Sequence, residues 1–350
     1  MVKPASLLAP ARRRKLLKPR VTIIGAGIAG VACAYEFARR GAAVTILETR
    51  EAAGRGCSWY AGGMLAPWCE CEAAEPVIGE LGRESLTFWQ QHFSGTVSNG
   101  TLVVAPRRDL PDLQRFARRT EEYRWVDAQE IADIEPDLAG LYRQALYFPR
   151  EAHLDPRAAL AALVVRLRDA FGVSISYGDE PGPADWTVDC RGLAARDALP
   201  DLRPVKGEML VVKNRELNFS RPLRMLHPRM PVYVVPRGDG VYMIGATMIE
   251  NAEEGRVTVR SVLELLSAVY TLHPGFGEAE IIETGSGLRP AFPDNLPRLR
   301  QRGRTLYVNG LFRHGFLIAP ALARRAADVA LEGAQFPEVM DEDRSERQAG

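Results

Sequence analysis

The chain has 350 residues, more than one ordinary core requires, so we expect two domains. Apolar residues make up 46% and charged residues 25%, and the formal net charge of +1 gives no global field that would recruit nucleic acid or an anionic membrane. No apolar run approaches the roughly 20 residues of a membrane-spanning helix. The sequence therefore predicts a soluble protein with neither nucleic-acid nor membrane partners.

Five cysteines form an odd and sparse set, which is typical of a large cytoplasmic protein and not of a disulfide framework. Cys69 and Cys71 resemble half of a metal site. No second cysteine pair follows, however, and the nearest histidine, His92, is isolated. We therefore predict a reduced cytoplasmic protein without a metal site.

Both ends of the chain differ from the remainder. The first 20 residues contain seven Lys or Arg and no acid, but a strand follows them where an export signal would have an apolar stretch. We predict that residues 1–20 are a disordered basic leader. The charged end predicts a flexible tail over residues 334–350.

The first periodic segment is a βαβ unit. Residues 21–24 form an apolar β-branched run typical of a buried strand, and residues 31–40 have helical spacing. Gly41 is suited to end that helix, and residues 43–47 form a second strand that closes with Glu48. This order predicts a parallel sheet with a right-handed crossover.

The turn between this strand and helix has the pattern Gly-x-Gly-x-x-Gly, which predicts a dinucleotide site. The first glycine permits a tight turn, the second lets a phosphate approach the backbone, and the third lets the helix pack close to the strand. The helix N-terminus offers free N–H groups to a pyrophosphate, and an acid after the next strand can accept hydrogen bonds from ribose. The predicted contacts are Gly25, Gly27, Ile28, Ala29, Gly30 and Glu48.

The βαβ unit does not distinguish NAD from FAD, and a purely structural turn is its alternative. A second glycine-rich stretch, residues 55–65, favours FAD because it suits a second phosphate and a flavin edge lying against the backbone. An ordinary loop is the alternative here. The predicted contacts in this stretch are Ser58, Ala61, Gly62, Gly63 and Met64.

Strands and a helix like those of the βαβ unit occur again later in the chain. Asp155-Pro156 begins a helix that continues through residues 158–170, with strands predicted at 173–177 and 186–190. Between these regions lie segments of another character. They are strands at 101–104 and 207–212, a helix start at Asp127, and a hairpin formed by 232–235 and 241–244 around Asp239-Gly240.

Two interleaved domains follow from this order. We assign residues 21–88, 145–201 and 284–333 to a Rossmann-type FAD-binding domain. Residues 89–144 and 202–283 are assigned to an α+β substrate domain.

Six motifs in order resemble the D-amino-acid oxidase superfamily, and within it the glycine oxidases of thiamine biosynthesis. The resemblance covers roughly residues 21–333, and its motifs lie at 25–30, 59–65, 232–237, 244–248, 287–290 and 310–320. It implies a substrate domain with a large, mostly antiparallel sheet over the flavin. It also implies that glycine or a similar amine is oxidised to an imine while O2 is reduced to H2O2.

The resemblance also implies how the cofactor and the reaction are handled. Backbone groups of His314, Gly315, Phe316 and Leu317 would contact the flavin ring from a helix N-terminus, and Gly192 lies in another cofactor-binding segment. Relatives with covalent FAD use a cysteine in the carboxy-terminal part, and the last one here is Cys190, so non-covalent FAD is expected. The α-hydrogen would leave as hydride to flavin N5, without a protein acid or base.

Four side chains are predicted to contact the substrate. Arg289 suits a bidentate pair with the substrate carboxylate, and Tyr233 can donate its hydroxyl to the same group. Arg313 would add positive potential, and Met248 would lie near the substrate. The alternatives are a surface salt bridge for Arg289, a packed sheet aromatic for Tyr233 and a structural ion pair for Arg313.

One residue departs from the family pattern: Arg191 stands where relatives have a small residue, which leaves the local cofactor contacts open. The resemblance further implies a homo-oligomer and a functional link to thiazole synthase. Three alternatives for the function remain: oxidation of sarcosine, a D-amino acid or another amine; modification of a partner protein by a flavoprotein; and binding of NAD.

Overall fold

The computed structural model describes residues 18–178, 182–227, 230–250, 253 and 255–341. The leader up to residue 17 and the tail from residue 342 lie outside the described residues. The helices are α1 (Ile28–Arg39), α2 (Pro67–Glu70), α3 (Pro76–His92), α4 (Leu110–Ala117), α5 (Ala128–Ile134), α6 (Pro156–Phe171), α7 (Val259–Leu272) and α8 (Gly315–Glu332).

The strands belong to two large sheets and one small ladder. They are β1 (Arg20–Ile24), β2 (Ala43–Glu48), β3 (Met64–Leu65), β4 (Thr101–Val104), β5 (Arg124–Asp127), β6 (Gln144–Phe148), β7 (Ala152–His153), β8 (Ser174–Tyr177), β9 (Trp186–Asp189), β10 (Arg203–Lys213), β11 (Leu223–Met225), β12 (Val232–Gly238), β13 (Val241–Gly245), β14 (Glu280–Ala291), β15 (Arg298–Arg302) and β16 (Thr305–Asn309).

The first large sheet has six strands in the order β15-β16-β9-β1-β2-β8. All of its pairings are parallel except that of β15 with β16. The parallel sheet predicted from the βαβ unit is therefore confirmed. Ile23 and Ile46 at its centre are fully buried, as expected for strands covered on both faces.

Helix α1 ends where the sequence predicts. Gly41 has φ +87°, and its N–H donates to the carbonyl of Ala38 at 2.9 Å. This left-handed conformation costs glycine little, since glycine has no Cβ. Helix α6 likewise has Asp155 as its N-cap, as predicted, and the Asp155 carboxylate accepts hydrogen bonds from the N–H groups of Arg157 and Ala158.

The second large sheet has eight strands in the order β14-β10-β13-β12-β11-β4-β6-β5. All of its pairings are antiparallel except that of β11 with β4. The hairpin of β12 and β13 turns at Asp239-Gly240, as predicted, and Asp127 forms the predicted capping box with Glu130 at the start of α5. The predicted α/β fold with a mostly antiparallel second sheet is confirmed.

The two sheets are interleaved along the chain, but their strands do not follow the predicted boundaries at every point. Both β6 and β14 pair within the eight-stranded sheet, whereas the boundaries at 145 and 284 place most of each in the FAD-binding domain. Local patterns could not show this, because a strand's sheet depends on distant hydrogen-bond partners.

The last described residues differ from the predicted flexible tail. Val339 is buried and its carbonyl accepts from the N–H of Leu299 at 2.8 Å, while Asp341 accepts from Arg298 at 3.1 Å and from Arg300 at 2.7 Å. These long-range ion pairs anchor residues up to 341, and local composition does not reveal them.

Candidate active site

A cleft of about 1940 Å³ lies where the carboxyl ends of the parallel strands meet the eight-stranded sheet. Its wall includes the glycine turn, the 55–64 loop, the segment around Gly192 and the start of α8. All predicted site residues line the cleft except Gly30. The fold thus brings together segments that are up to about 290 residues apart in the chain.

The glycine turn is shaped by two close contacts. Gly25 has φ +98°, and a Cβ there would lie 2.8 Å from the carbonyl oxygen of Cys190. A Cβ on Gly30 would lie 1.8 Å from the carbonyl oxygen of Gly25. Glycine at this position therefore lets α1 pack closely against the turn, and Gly30 faces this contact and not the cleft. A Cβ on Gly27 would have Ser58 Oγ as its nearest neighbour, at 3.4 Å, so the cleft side of the turn stays open.

Ser58 and Glu48 fix this turn through the backbone. Ser58 Oγ accepts from the N–H of Ile28 at 3.1 Å, at the N-terminus of α1. Glu48 is buried, and its carboxylate accepts from the N–H groups of Ala26 at 2.8 Å and Thr49 at 2.8 Å. Oε1 also accepts from the N–H of Arg50 at 2.9 Å, whereas Oε2 accepts from Ala26 alone among the described residues, so Oε2 retains a position for a ribose hydroxyl.

Arg237 holds the second glycine-rich segment, a role that sequence analysis missed. Its guanidinium donates to the carbonyls of Leu154 at 2.6 Å, Ala61 at 3.1 Å and Gly62 at 2.9 Å. Burial lowers the pKa of Arg237 to about 10. Gly63 completes the packing, because a Cβ there would lie 2.1 Å from the Leu154 carbonyl oxygen. A charged residue inside the apolar run of β12 was the available signal.

The start of α8 forms the opposite end of the cleft. The N–H of Ile318 donates to the carbonyl of His314 at 3.0 Å and is the first intrahelical bond. The N–H groups of Gly315, Phe316 and Leu317 precede it and have no intrahelical acceptor. Two helix N-termini, those of α1 and α8, therefore present partial positive charge to one cleft.

Arg289 extends from β14 over the neighbouring strand β10. It donates to the carbonyl of Thr247 at 3.2 Å, and in the described part of the chain no carboxylate lies within ion-pairing distance of it. A Cβ on Gly207 would lie 2.1 Å from Arg289 Nη2, so the strand beneath has no side chain at this point. Burial lowers the pKa of Arg289. This half-buried cation thus lacks an anionic partner among the described residues.

Tyr233 lies on β12 beside the same cleft. Its Cε2 would lie 2.8 Å from a Cβ on Gly62, and no described group hydrogen-bonds its hydroxyl. Burial raises the pKa of Tyr233, so the hydroxyl keeps its proton and can donate it to a bound anion.

Arg313 is paired within the protein. Its Nη2 donates to Glu70 Oε2 at 2.6 Å, and His314 Nε2 lies 2.9 Å from the same oxygen. Arg224 Nη1 lies 3.4 Å from Glu70 Oε1. The structure therefore supports the ion-pair alternative for Arg313. Sequence analysis missed Glu70, which lies between Cys69 and Cys71 in the segment considered there only as half of a metal site.

The pKa values of this cluster follow from the pairing. Burial alone would raise the pKa of Glu70, but Arg313, His314 and Arg224 outweigh burial and hold it well below its usual range. Burial lowers the pKa of His314 despite the neighbouring carboxylate. The histidine is thus neutral near pH 7. Its Nε2 lies 2.9 Å from Glu70 Oε2 and 3.2 Å from Arg313 Nε, so the tautomer decides whether it donates to the carboxylate or accepts from the guanidinium.

The remaining predicted residues lie at the edges of the cleft. Met248 is 61% exposed at its mouth. Gly192 has φ +58°, and its carbonyl accepts from Asn309 Nδ2 at 2.9 Å. Arg191, the departure from the family pattern, pairs with Asp189 at 2.9 Å and with Asp197 at 3.0 Å, so its charge is already neutralised.

The family model of FAD-dependent oxidoreductases (DAO) matches residues 20–329. The chain belongs to this family. It is an FAD-dependent amine oxidase, and the cleft fits the cofactor: a glycine turn open to phosphate lies at one end and the first turn of α8 at the other.

Three similar proteins place this oxidase within the family. An oxidoreductase of Rhizobium etli, assigned to thiamine biosynthesis and called ThiO, is 52% identical over 314 residues, covering 88% of this chain and 95% of its own. A glycine oxidase of Bacillus licheniformis is 25% identical over 349 residues, covering 88% and 92%. The solved structure of a Bacillus cereus glycine oxidase has a TM-score of 0.77 at 24% identity, covering 91% and 96%, and shows the shared fold.

The described part of the oxidase has no metal-binding cluster and no membrane-spanning helix. Among the residues described, no three His, Cys, Asp or Glu side chains form a group that could hold a metal ion. None of the described helices is long and apolar enough to cross a membrane.

Proposed function

We propose that this oxidase converts glycine, or a similarly small amine with one carboxylate, to its imine, which supplies the thiazole ring of thiamine or hydrolyses to glyoxylate. The observation that carries the proposal is the guanidinium of Arg289, which lines the cleft without an anionic partner among the described residues. Because an unpaired buried charge is costly, a substrate carboxylate is its natural partner.

Arg289, Tyr233 and Arg313 have different roles in the proposed site. Arg289 forms the charged bond to the carboxylate, and the protonated hydroxyl of Tyr233 donates to it from β12. Arg313 is neutralised by Glu70, so we assign it to holding the segment before α8 and not to direct substrate binding. Arg289 is therefore the carboxylate-binding group that we assign, which suits an amine with one carboxylate.

Orientation is the protein's main contribution to the rate. Bound FAD would supply the two-electron acceptor for the amine, and its reoxidation by O2 would give H2O2. The first-turn N–H groups of α8 would hold one edge of the cofactor's ring, and Arg237 would keep the Ala61–Gly62 backbone in place beside it. No side chain of the cleft is needed as acid or base if the amine arrives neutral.

Non-covalent attachment of FAD is part of the proposal, because the chain contains no cysteine after Cys190. Acid precipitation should release all of the yellow colour into the supernatant. Colour that stays with the pellet would instead indicate a covalent bond.

The visible spectrum of the purified protein tests the proposal directly. Absorption near 450 nm should bleach on anaerobic addition of glycine and return with air. Oxygen consumption with glycine, sarcosine and D-alanine then ranks the amines. A flavin that none of these bleaches would contradict the proposed substrate class, whatever the cofactor. The homo-oligomer and the link to thiazole synthase remain proposals, to be tested by light scattering and by co-purification.

A further inference from the structure

The pairing of β10, the strand next to Arg289, with the chain that follows β13 changes register just before the cleft. Along β10 and β13, Lys213 pairs with Val241 and Leu210 pairs with Ile244. Continued regularly, this ladder would pair Lys206 with residue 248. Instead Lys206 exchanges both backbone hydrogen bonds with Ile249, at 2.8 and 3.0 Å. One extra residue is therefore inserted after Ile244, as in a β-bulge.

Thr247 repairs the ladder at this bulge with its side chain. The N–H of Thr247 donates to the carbonyl of Glu208 at 3.1 Å, and the N–H of Glu208 donates to Thr247 Oγ1 at 2.9 Å. The hydroxyl takes the place that a backbone carbonyl has in a regular antiparallel pair. Thr247 is 4% exposed, so without the hydroxyl a buried N–H would lose its acceptor.

The carbonyl of Thr247, released from the ladder, accepts from Arg289 Nη1 at 3.2 Å. To reach it, Arg289 crosses β10 above Gly207, where a Cβ would lie 2.2 Å from Arg289 Cζ. Two features therefore position the guanidinium. Gly207 leaves space for it above β10, and the Thr247 carbonyl, released from the ladder at the bulge, accepts its hydrogen bond.

The partner of Thr247 is itself fixed. Glu208 is fully buried and pairs with Lys206 Nζ at 2.8 Å, and Lys206 is 5% exposed. Lys206 also donates to the carbonyl of Arg256 at 3.3 Å. Because these groups lock the backbone of β10, the position of the Thr247 carbonyl is determined relative to the sheet and not by a free loop.

We propose that Thr247 is the positioning residue of the carboxylate-binding arginine. Its hydroxyl accepts the hydrogen bond from the N–H of Glu208 on β10. Its carbonyl is therefore free to hold the guanidinium of Arg289 in the orientation that meets a substrate carboxylate. The inference rests on the proposed function only for the identity of that carboxylate.

Thr247→Val tests the inference, because valine keeps the branched shape and lacks the acceptor. We expect the KM for glycine to rise about tenfold, as for loss of one charged hydrogen bond, with kcat within about threefold of the wild type. Thr247→Ser retains the hydroxyl and should restore the wild-type KM. Equal KM values for the valine variant and the wild type would overturn the proposal.

Thr258→Val is the matched control. Thr258 Oγ1 lies 3.4 Å from Glu208 Oε2 and caps α7, but Thr258 does not contact Arg289. We expect this variant to lower the melting temperature with an unchanged KM. A KM that rises as much as in Thr247→Val would show a general structural effect and overturn the specific role.

Two readouts separate this inference from the substrate assignment. Acetate titrated into the FAD-bound proteins, followed by flavin absorbance, should bind about tenfold more weakly to Thr247→Val, whether or not glycine is oxidised. A crystal structure of this variant should show the guanidinium displaced from above Gly207, and an unmoved guanidinium would overturn the proposal. If Thr247→Val and Thr247→Ala both lose FAD, the residue is structural and the proposal is wrong.

Discussion

Arg289 can lie across β10 only because position 207 is glycine. A Cβ on this residue would lie 2.1 Å from Arg289 Nη2 and 2.7 Å from Nη1, far inside contact distance. We predict that Gly207→Ala displaces the guanidinium and lowers kcat/KM for glycine at least about tenfold, since a charged hydrogen bond is lost. Steady-state oxygen consumption measures this.

Gly182→Ala is the control for that change, because a Cβ on Gly182 would meet nothing within 4 Å. It should leave kcat/KM unchanged. If Gly207→Ala is equally active, Arg289 is not the carboxylate-binding group in the geometry described above.

A second residue-scale prediction concerns Glu151, which is fully buried. Its Oε1 accepts from the N–H of Cys69 at 2.7 Å, while Oε2 has no partner among the described atoms. Burial raises the pKa of Glu151 from its usual 4.5 to about 7. The folded state thus favours the protonated form, so its stability contribution is present below about pH 4.5 and is lost as the pH rises to about 7.

Glu151→Gln removes this titration and keeps the acceptor for Cys69. Between pH 5 and pH 8 the free energy of unfolding of the wild type should fall, relative to that of the variant, by an amount on the order of 2–3 kcal/mol. Denaturant unfolding at both pH values measures the difference. His153, whose pKa burial lowers to about 4, is present in both proteins and cancels. Parallel pH profiles would contradict the prediction.

At the scale of elements, the βαβ unit was predictable because each of its signals is local. A β-branched run, a glycine turn and a helix of small residues follow one another within 30 residues, and the contact that requires glycine at position 30 is with Gly25 in the same turn. The bulge at Thr247 was not predictable. It arises from the pairing of β13 with β10, and register between strands about 30 residues apart leaves no periodic pattern.

Gly30→Ala tests the fit of α1 against its own turn. The added Cβ would lie 1.8 Å from the carbonyl oxygen of Gly25, so the helix or the turn must move. We predict purification without FAD, measured as the ratio of absorbance at 450 and 280 nm. Ala38→Gly, in the last turn of α1, should lower stability by about 1 kcal/mol and retain FAD. A yellow Gly30→Ala protein would contradict this reading of the motif.

At the scale of the whole molecule, the sequence predicted the interleaving of two domains but not all members of each sheet. The ion pairs that close the cleft, such as Arg313 with Glu70, join residues 243 positions apart. Their partners cannot be read from spacing, because any of many acids would satisfy the same arginine. The family resemblance located Arg313, whereas only the fold shows which carboxylate neutralises it.

Because the cleft wall comes from both sheets, FAD should stabilise the entire fold. At a free FAD concentration 100 times Kd, binding should raise the free energy of unfolding by about 2.7 kcal/mol. Thermal unfolding of apoprotein with increasing FAD measures this, and riboflavin, which lacks the adenylate, serves as the control and should shift the midpoint less. A midpoint independent of FAD would mean that the cleft is not the binding site.

The position of α8 after the strands of both sheets has a consequence for biosynthesis. The nascent chain can pair β1 with β2 early, but β16 and the first turn of α8 leave the ribosome only after both sheets have received their other strands. The cleft is therefore incomplete until α8 has been synthesised. Ribosome-bound chains stalled before Gly315 should not retain FAD, which would place cofactor loading after the synthesis of α8.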